Sequence, residues 1–237
     1  MTDRRLVLIV GANRGIGLGV VNAFLAADWD VIATARHPEQ AGALNDLAGG
    51  MPDRVRVLPI DMGDAAAVDG FVPAYLAPAL GGRTIDAALI NAGVAGPAHR
   101  SAGSATIEEI GALMFVNAIA PIRLARTLVP HLKPGPGVLA FSSSVMGSVS
   151  LNSGGHELYR ASKAALNSLT RGLWGALRGR GLTVLSLHPG WVRTDMGGSG
   201  APVSVEDSAG GIVRVIEGQS GGHQHRYLDF NGAEIAW

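Results

Sequence analysis

A tyrosine and a lysine one helical turn apart are the residues of this chain best suited to chemistry. Tyr159 and Lys163 are scarce residue types here, since the chain has three tyrosines and two lysines. Residues four apart lie on the same face of a helix. An ammonium beside a phenol favours the phenolate and lowers the tyrosine pKa from its ordinary value of about 10. The pair therefore predicts a tyrosine that exchanges protons with a substrate, although Tyr-x-x-x-Lys alone also occurs by chance in helices.

A glycine-rich stretch near the start of the chain could hold a phosphate group. Residues 11–17 have the sequence GANRGIG, after an apolar segment and before an amphipathic one. Glycines let the backbone turn sharply, and the amides and dipole at a helix start attract a pyrophosphate. In this strand–loop–helix context the stretch predicts a dinucleotide site. Its expected binding residues are Gly11, Asn13, Arg14, Gly15, Ile16 and Gly17.

The end of the second predicted strand indicates which dinucleotide binds. An acidic residue there would accept a hydrogen bond from a ribose 2′-hydroxyl and repel a 2′-phosphate. This chain has Arg36 at that point, and a guanidinium can bind a phosphate through two hydrogen bonds. Arg14 adds a second positive charge. We therefore predict that NADP(H) is preferred, with NAD(H) left open as a second cofactor; the alternative is that Arg36 is only a solvated charge.

Short apolar segments alternate with amphipathic segments along the chain. The predicted strands are 6–10, 30–35, 55–60, 87–91, 138–142, 183–188 and 226–229, and the predicted helices are 15–27, 39–48, 64–80, 106–131, 155–179 and 204–218. Strands that are apolar on both faces are covered by helices on both sides. The pattern predicts an α/β fold, a single-domain, doubly wound, Rossmann-type parallel sheet of seven strands with helices on both faces. Residues 1–237 would form this domain, with a small substrate flap near 195–204.

The bulk composition excludes several classes of protein. A hydrophobic fraction of 47% with 16% charged residues indicates a large core rather than disorder. Acidic and basic residues balance, which argues against nucleic acid or an anionic membrane as a partner. The chain has no cysteine, so disulfides and thiolate catalysis are excluded. The apolar run after Arg5 is too short for a signal peptide or a membrane span, so we expect a soluble, cytoplasmic protein.

The seven histidines do not predict a metal site. They are scattered, and only His223 and His225 could share one strand face. A metal site needs more convergent ligands, so no metal is expected. His156, three residues before Tyr159, is a candidate for the substrate pocket, and Trp191 is a candidate for its wall.

Several spaced motifs together resemble the short-chain dehydrogenase/reductase family over nearly the whole chain. They are the glycine loop at 11–17, Asp61-Met62, Asn91-Ala92-Gly93, Asn117, Ser144, Tyr159-x-x-x-Lys163 and Pro189-Gly190-x-Val192-x-Thr194. The segments 143–148, 152–155 and 187–198, with Trp237, are more narrowly similar to the C-factor and sniffer-like carbonyl reductases. One departure is Val10, where the family usually has threonine, which puts one hydrogen bond beside the phosphate loop in doubt.

The resemblance implies a role for each motif. The catalytic group would be Asn117, Ser144, Tyr159 and Lys163, with Asn117 holding a water at a local helix distortion. Ser144 is favoured over Ser142 and Ser143 because it lies three residues before Gly147, as in the family. The cofactor would be bound by Asp61 and Met62 on the adenine side, by Asn91, Ala92 and Gly93 at its centre, and by Pro189, Gly190, Val192, Thr194, Tyr159 and Lys163 on the nicotinamide side.

The activity implied is NADPH-dependent reduction of a small, mostly apolar aldehyde or ketone, with Tyr159 as the proton donor. Two alternatives stay open: an NAD(P)-dependent alcohol or steroid dehydrogenase working in the oxidative direction, and a non-enzymatic dinucleotide-binding signalling protein. The segment 155–179 resembles the helix through which family members dimerise, so we expect a homodimer, with a tetramer as the alternative.

Overall fold

Seven parallel strands form one sheet in the computed structural model, which describes residues 4–237. The spatial order of the strands is β3-β2-β1-β4-β5-β6-β7. The strands are β1 (Leu6–Val10), β2 (Asp30–Ala35), β3 (Val55–Pro59), β4 (Ala87–Ile90), β5 (Val138–Ser142), β6 (Thr183–His188) and β7 (His225–Asp229). All seven predicted strands are present, and their ends differ from the prediction by at most one residue. Every residue of β1, β2, β4 and β5 is buried, as expected for strands covered on both faces.

Six helices cover the sheet. They are α1 (Gly15–Ala26), α2 (Gly42–Gly50), α3 (Ala65–Leu80), α4 (Ile107–His131), α5 (Glu157–Leu177) and α6 (Val205–Gly218). One apolar cluster packs α3, α4 and α5 against the sheet, and a second cluster packs α1, α2 and α6 against the opposite face. The predicted fold class is therefore confirmed. Helix α2 begins three residues later than predicted because Pro38–Gln40 forms a separate 3-10 turn.

The strand order reverses direction between β1 and β4, which are neighbours in the sheet. Val10 at the end of β1 pairs with Ile90 at the end of β4, and Ile90 pairs with Phe141 of β5. The residues that follow these strands therefore emerge side by side at the carboxyl edge. In open α/β sheets such a reversal leaves a crevice in which ligands bind.

Helix α4 contains a π-helical turn at Phe115–Ile119. Pro121 follows this turn, and proline has no amide hydrogen to donate to the carbonyl of Asn117, four residues earlier. The missing donor explains why regular α-helical bonding is interrupted at this point. By length and composition alone α4 could also cross a membrane, but more than half of its apolar stretch is buried inside the fold, as in a core helix.

Candidate active site

A cleft of about 550 Å³ opens at the carboxyl edge of the sheet. The predicted site residues that line it are Gly11, Asn13, Arg14, Gly15, Ile16, Arg36, Met62, Asn91, Ala92, Gly93, Tyr159, Lys163, Pro189 and Thr194. Those that are not part of its wall are Gly17, Asp61, Asn117, Ser144, Gly190 and Val192. The fold thus brings most of the predicted residues to one cavity.

Steric limits explain the glycines of the phosphate loop. Gly11 and Gly15 have left-handed backbone conformations, with φ of 83° and 53°, which glycine adopts without strain. A Cβ atom on Gly17 would lie 2.0 Å from the carbonyl oxygen of Gly11. Helix α1 begins at Gly15, and no side chain caps its N-terminus. Its first amides and the positive end of its dipole are therefore available to a pyrophosphate.

Thr34 supports the loop where the threonine expected at Val10 is missing. The Thr34 hydroxyl accepts a hydrogen bond of 3.0 Å from the Gly11 amide, and its carbonyl accepts one of 2.8 Å from Ala12. Both atoms belong to β2, which is the neighbour of β1 in the sheet. The hydrogen bond in doubt at the sequence level thus has a substitute, which spacing along the chain does not reveal.

Asn91 joins the phosphate loop to the strand that precedes the serine cluster. Its Nδ2 donates to the Gly11 carbonyl at 2.9 Å, and its Oδ1 accepts from the Ser142 hydroxyl at 2.9 Å. The register of β1, β4 and β5 places these three residues next to one another. Asn91 is therefore a structural link between the two ends of the cleft, and Ser142 serves this link.

Asn117 lies in the π-helical turn and is fully buried. Its side chain accepts from the Val94 amide at 2.8 Å and donates to the Val94 carbonyl at 2.9 Å and to the Ser162 hydroxyl at 3.0 Å. A Cβ atom on Gly93 would lie 3.3 Å from Asn117 Oδ1 and 3.5 Å from Lys163 Nζ. The Asn117 side chain thus fixes the segment after β4 close to the lysine.

Tyr159 and Lys163 line one end of the cleft, and Ser144 lies beside them outside its wall. Lys163 Nζ donates to the main-chain carbonyl of Ser142 at 2.8 Å and lies 5.7 Å from the centre of the Tyr159 ring. The Ser144 side chain lies close enough to Tyr159 to lower the pKa of its phenol. The Ser144 hydroxyl also accepts from the Met146 amide at 3.2 Å. A phenol, a hydroxyl and an ammonium thus lie together where a carbonyl substrate could be polarised.

The acidified tyrosine predicted from the sequence is wrong for this structure. Burial raises the pKa of Tyr159 to about 12, and the neighbouring Ser144 side chain opposes this rise without cancelling it. Burial also lowers the pKa of Lys163 to about 8. The lysine ammonium is directed at Ser142 rather than at the phenol, so desolvation outweighs its attraction for the phenolate. Tyr159 is therefore held in its protonated form at neutral pH.

The far end of the cleft holds charged side chains in water. Arg36 Nε lies 3.5 Å from Asp61 Oδ1, and the Arg36 side chain is 62% exposed. Arg14 of the phosphate loop forms a salt bridge with Asp195, across the mouth of the cleft. Asp61 also accepts from the Gly63 amide at 2.8 Å. Both arginines predicted to bind a 2′-phosphate thus line the cleft, and each has an acidic neighbour.

The segment after β6 folds back on itself beside the cleft. Arg193 and Val203 are joined by a main-chain hydrogen bond of 2.9 Å, and the Arg193 guanidinium donates to the carbonyls of Ala201 and Pro202. The Trp191 indole donates to the Gly197 carbonyl at 2.8 Å while the residue stays 58% exposed. These bonds give the predicted flap a defined conformation against the residues that precede it.

His156 lies outside the cleft wall. It precedes α5 in a left-handed conformation, with φ of 49°, without a capping hydrogen bond from its side chain, and its Nε2 lies 3.2 Å from an Arg100 nitrogen. Burial lowers the pKa of His188 and of His225 to about 4, so both are neutral. Within residues 4–237, no three side chains of the histidine, aspartate and glutamate types are grouped to hold a metal ion.

The residues of the cleft fit a dinucleotide, because the glycine loop leads into the uncapped N-terminus of α1 and two arginines, Arg14 and Arg36, line the cleft beside it. Comparison with known proteins agrees. The family model for short chain dehydrogenases matches residues 5–202. C-signal of Myxococcus xanthus is 38% identical over 155 residues, which cover 65% of this chain and 93% of that protein.

Two solved structures show the same fold. A carbonyl reductase from Pseudomonas aeruginosa PAO1 in complex with NADP is 41% identical, with a TM-score of 0.89, and the match covers 99% of this chain and 100% of that one. The carbonyl reductase Sniffer of D. melanogaster is 34% identical, with a TM-score of 0.88 and the same coverage. The resemblance found in the sequence is therefore confirmed. The chain belongs to the short-chain dehydrogenase/reductase family.

Proposed function

We propose that this protein is an NADPH-dependent carbonyl reductase that reduces a small, mostly apolar aldehyde or ketone, with Tyr159 as the proton donor. The observation that supports this most directly is that Tyr159 and Lys163 line the same end of the cleft, with the Ser144 side chain close enough to Tyr159 to act on the pKa of its phenol. Similar proteins include carbonyl reductases whose structures contain NADP or NADPH. Apolar residues of the cleft wall, among them Val94 and Met196, favour an apolar substrate.

The residues of the cleft would hold the dinucleotide from end to end. The phosphate loop and the start of α1 would bind the pyrophosphate, and Arg36 and Arg14 would bind the 2′-phosphate. Asp61 with Met62 would lie at the adenine, and Val192 and Thr194 at the nicotinamide carboxamide. When bound, reduced nicotinamide supplies a hydride.

Protonated Tyr159 suits the reductive direction. Negative charge grows on the carbonyl oxygen as the carbonyl carbon receives a hydride, and a nearby proton donor stabilises that charge. A tyrosine whose pKa burial raises to about 12 carries the proton that this step requires. Ser144 would donate a hydrogen bond to the same oxygen. Lys163, charged below a pKa of about 8, would stabilise the tyrosinate that remains.

The decisive experiment is NADPH oxidation with a panel of aldehydes and ketones. We expect turnover with at least one apolar carbonyl compound, and faster turnover with NADPH than with NADH. Turnover only with alcohols and oxidised cofactor would support the dehydrogenase alternative. Tight NADPH binding without turnover in either direction would support the signalling alternative and contradict our proposal.

We further propose that residues 1–237 act as one domain, of which the first three lie outside the described part, and that the protein is a cytoplasmic homodimer. Gly172 and Gly175 of α5 are exposed, and apart from the adjoining backbone of α5 itself no atom lies within 4 Å of a Cβ built on either glycine, so a second helix could approach closely there. Light scattering would distinguish a dimer from a monomer or a tetramer.

A further inference from the structure

A second buried tyrosine contacts the backbone of Ser144 from behind the cleft. Tyr227 lies in β7 and is 2% exposed. Its hydroxyl donates to the Ser144 carbonyl, a contact between residues 83 positions apart in the sequence. The same carbonyl accepts from the Gly147 amide at 2.7 Å. Two donors therefore fix the peptide that follows Ser144.

Asn167 of α5 holds the same turn from a second direction. Its Oδ1 accepts from the Ser143 hydroxyl at 2.7 Å, and its Nδ2 donates to the Gly147 carbonyl at 3.3 Å. A Cβ atom on Gly147 would lie 2.9 Å from Asn167 Nδ2. The turn from Ser143 to Gly147 is therefore tightly packed against α5.

Trp237 holds Tyr227 and the chain beyond the turn. The two aromatic rings lie 5.1 Å apart between centres. The Trp237 carbonyl accepts from the Ser150 amide at 3.1 Å and from the Ser150 hydroxyl at 2.7 Å. The indole thus restricts the Tyr227 ring, while the Trp237 backbone restrains the segment after the Ser144 turn.

We propose that Tyr227 is a positioning residue of the active site: its hydroxyl fixes the Ser144 backbone and thereby the direction of the Ser144 hydroxyl toward Tyr159. Its kinetic consequence rests on the proposed carbonyl reductase function. A catalytic group misplaced by about 1 Å can lose about a hundredfold in rate, so one buried hydrogen bond to its backbone has a measurable effect.

The kinetic test compares Tyr227→Phe in the wild-type protein and in Ser144→Ala. Phenylalanine keeps the ring against Trp237 and removes only the hydroxyl. We expect Tyr227→Phe to lower kcat about tenfold or more, with an unchanged Kd for NADPH measured by protein fluorescence. In the Ser144→Ala background the same change should lower kcat no further. An equal loss in both backgrounds, or no loss in the wild type, would overturn the proposal.

A readout without substrate separates this proposal from the proposed function. Hydrogen exchange should show faster exchange of the Met146 and Gly147 amides in Tyr227→Phe, because both donate to Ser144. The Ala12 amide, bonded to the Thr34 carbonyl, should keep its protection. If exchange is faster in Tyr227→Phe but the wild type reduces no carbonyl compound, the result would support the positioning role and contradict the proposed function. Unchanged exchange of the Met146 and Gly147 amides in Tyr227→Phe would contradict the positioning role.

Tyr75→Phe is the matched control. It makes the same chemical change at a tyrosine of α3 that is 47% exposed. We expect it to change neither kcat nor the exchange of the Met146 and Gly147 amides. If Tyr75→Phe lowers kcat as much as Tyr227→Phe does, the loss does not come from Ser144 and the proposal fails.

Discussion

The two ends of the cleft differ in how their charged and polar side chains are exposed to water. At the catalytic end, Lys163 and Ser144 are buried, and hydrogen bonds to named main-chain atoms hold them. At the phosphate end, Arg14 and Arg36 are exposed and paired with acids that are themselves exposed to water. Desolvation dominates the first end, and solvent screens charges at the second. Substitutions at the buried end should therefore have large effects that depend on geometry, and those at the exposed end smaller effects that depend on salt.

The largest effect is expected at Tyr159. Tyr159→Phe removes the proposed proton donor, so kcat should fall by about a hundredfold to ten-thousandfold. The phenol contributes little to cofactor affinity, so the Kd for NADPH, measured by fluorescence titration, should stay close to the wild-type value. Turnover near the wild-type level would show that another group donates the proton.

Burial of the Lys163 ammonium should make the free energy of unfolding depend on pH. Its pKa of about 8 in the folded protein lies below the ordinary value of 10.5. Between these values the unfolded chain binds more protons than the folded one, so the free energy of unfolding rises with pH. We expect the wild type to gain up to about 3 kcal/mol over this window relative to Lys163→Met. Urea titrations at several pH values measure it.

The pH range in which the stability difference changes provides a control for the Lys163 experiment. Because the pKa of Lys163 in the folded protein is about 8, the lysine is charged in both states at lower pH, and the stability difference between wild type and Lys163→Met should be constant there. If the wild type gains no stability relative to Lys163→Met as the pH rises to 10.5, the lysine is not desolvated. That result would also remove the contrast between the two ends of the cleft.

Strands β1, β2, β4 and β5 could be predicted because each is a short, mostly apolar segment that is buried throughout. The residues that follow them could be predicted as a group because carboxyl ends of parallel strands share one edge. Gly11 and Asn91 meet for this reason, since Val10 and Ile90 are paired. The spacing of four residues on a helix also correctly predicted that Tyr159 and Lys163 lie close together.

What the sequence could not supply is the environment of these groups. Thr34 and Tyr227 contact the site from other strands, and nothing in their own neighbourhoods marks them. The direction of the Tyr159 pKa was mispredicted because a spacing of four residues gives proximity but neither burial nor the direction of the ammonium. Long-range partners and desolvation follow only from the assembled fold.

Arg36 is expected to have an intermediate effect. A charged hydrogen bond contributes about 1.5–3 kcal/mol, so Arg36→Asp should weaken NADPH binding by about tenfold to a hundredfold. The new carboxylate should favour NADH, because it can accept from a ribose 2′-hydroxyl. Fluorescence titrations with both cofactors measure this. Arg36→Lys keeps the charge but cannot form two parallel hydrogen bonds to a phosphate, so its Kd for NADPH should lie between those of the wild type and Arg36→Asp. Equal losses for NADPH and NADH would place Arg36 away from the 2′-phosphate.

The smallest effect is expected at Asp195, the exposed partner of Arg14. Exposed ion pairs contribute about 1 kcal/mol or less, so the pair restrains Arg14 only weakly. Asp195→Asn removes a negative charge beside the phosphate loop and should tighten NADPH binding by about threefold.

Two controls test whether the gain in NADPH affinity in Asp195→Asn comes from the charge beside the phosphate loop: high ionic strength, and removal of a charge elsewhere. The gain in Asp195→Asn should disappear at high ionic strength, because the charges involved are in water. Asp53→Asn removes the same charge from the turn before β3, at the opposite edge of the sheet, and should leave the Kd for NADPH unchanged. If Asp195→Asn instead weakens NADPH binding tenfold at every salt concentration, the Arg14–Asp195 pair is part of the binding machinery. The phosphate end would then depend on fixed geometry as the catalytic end does.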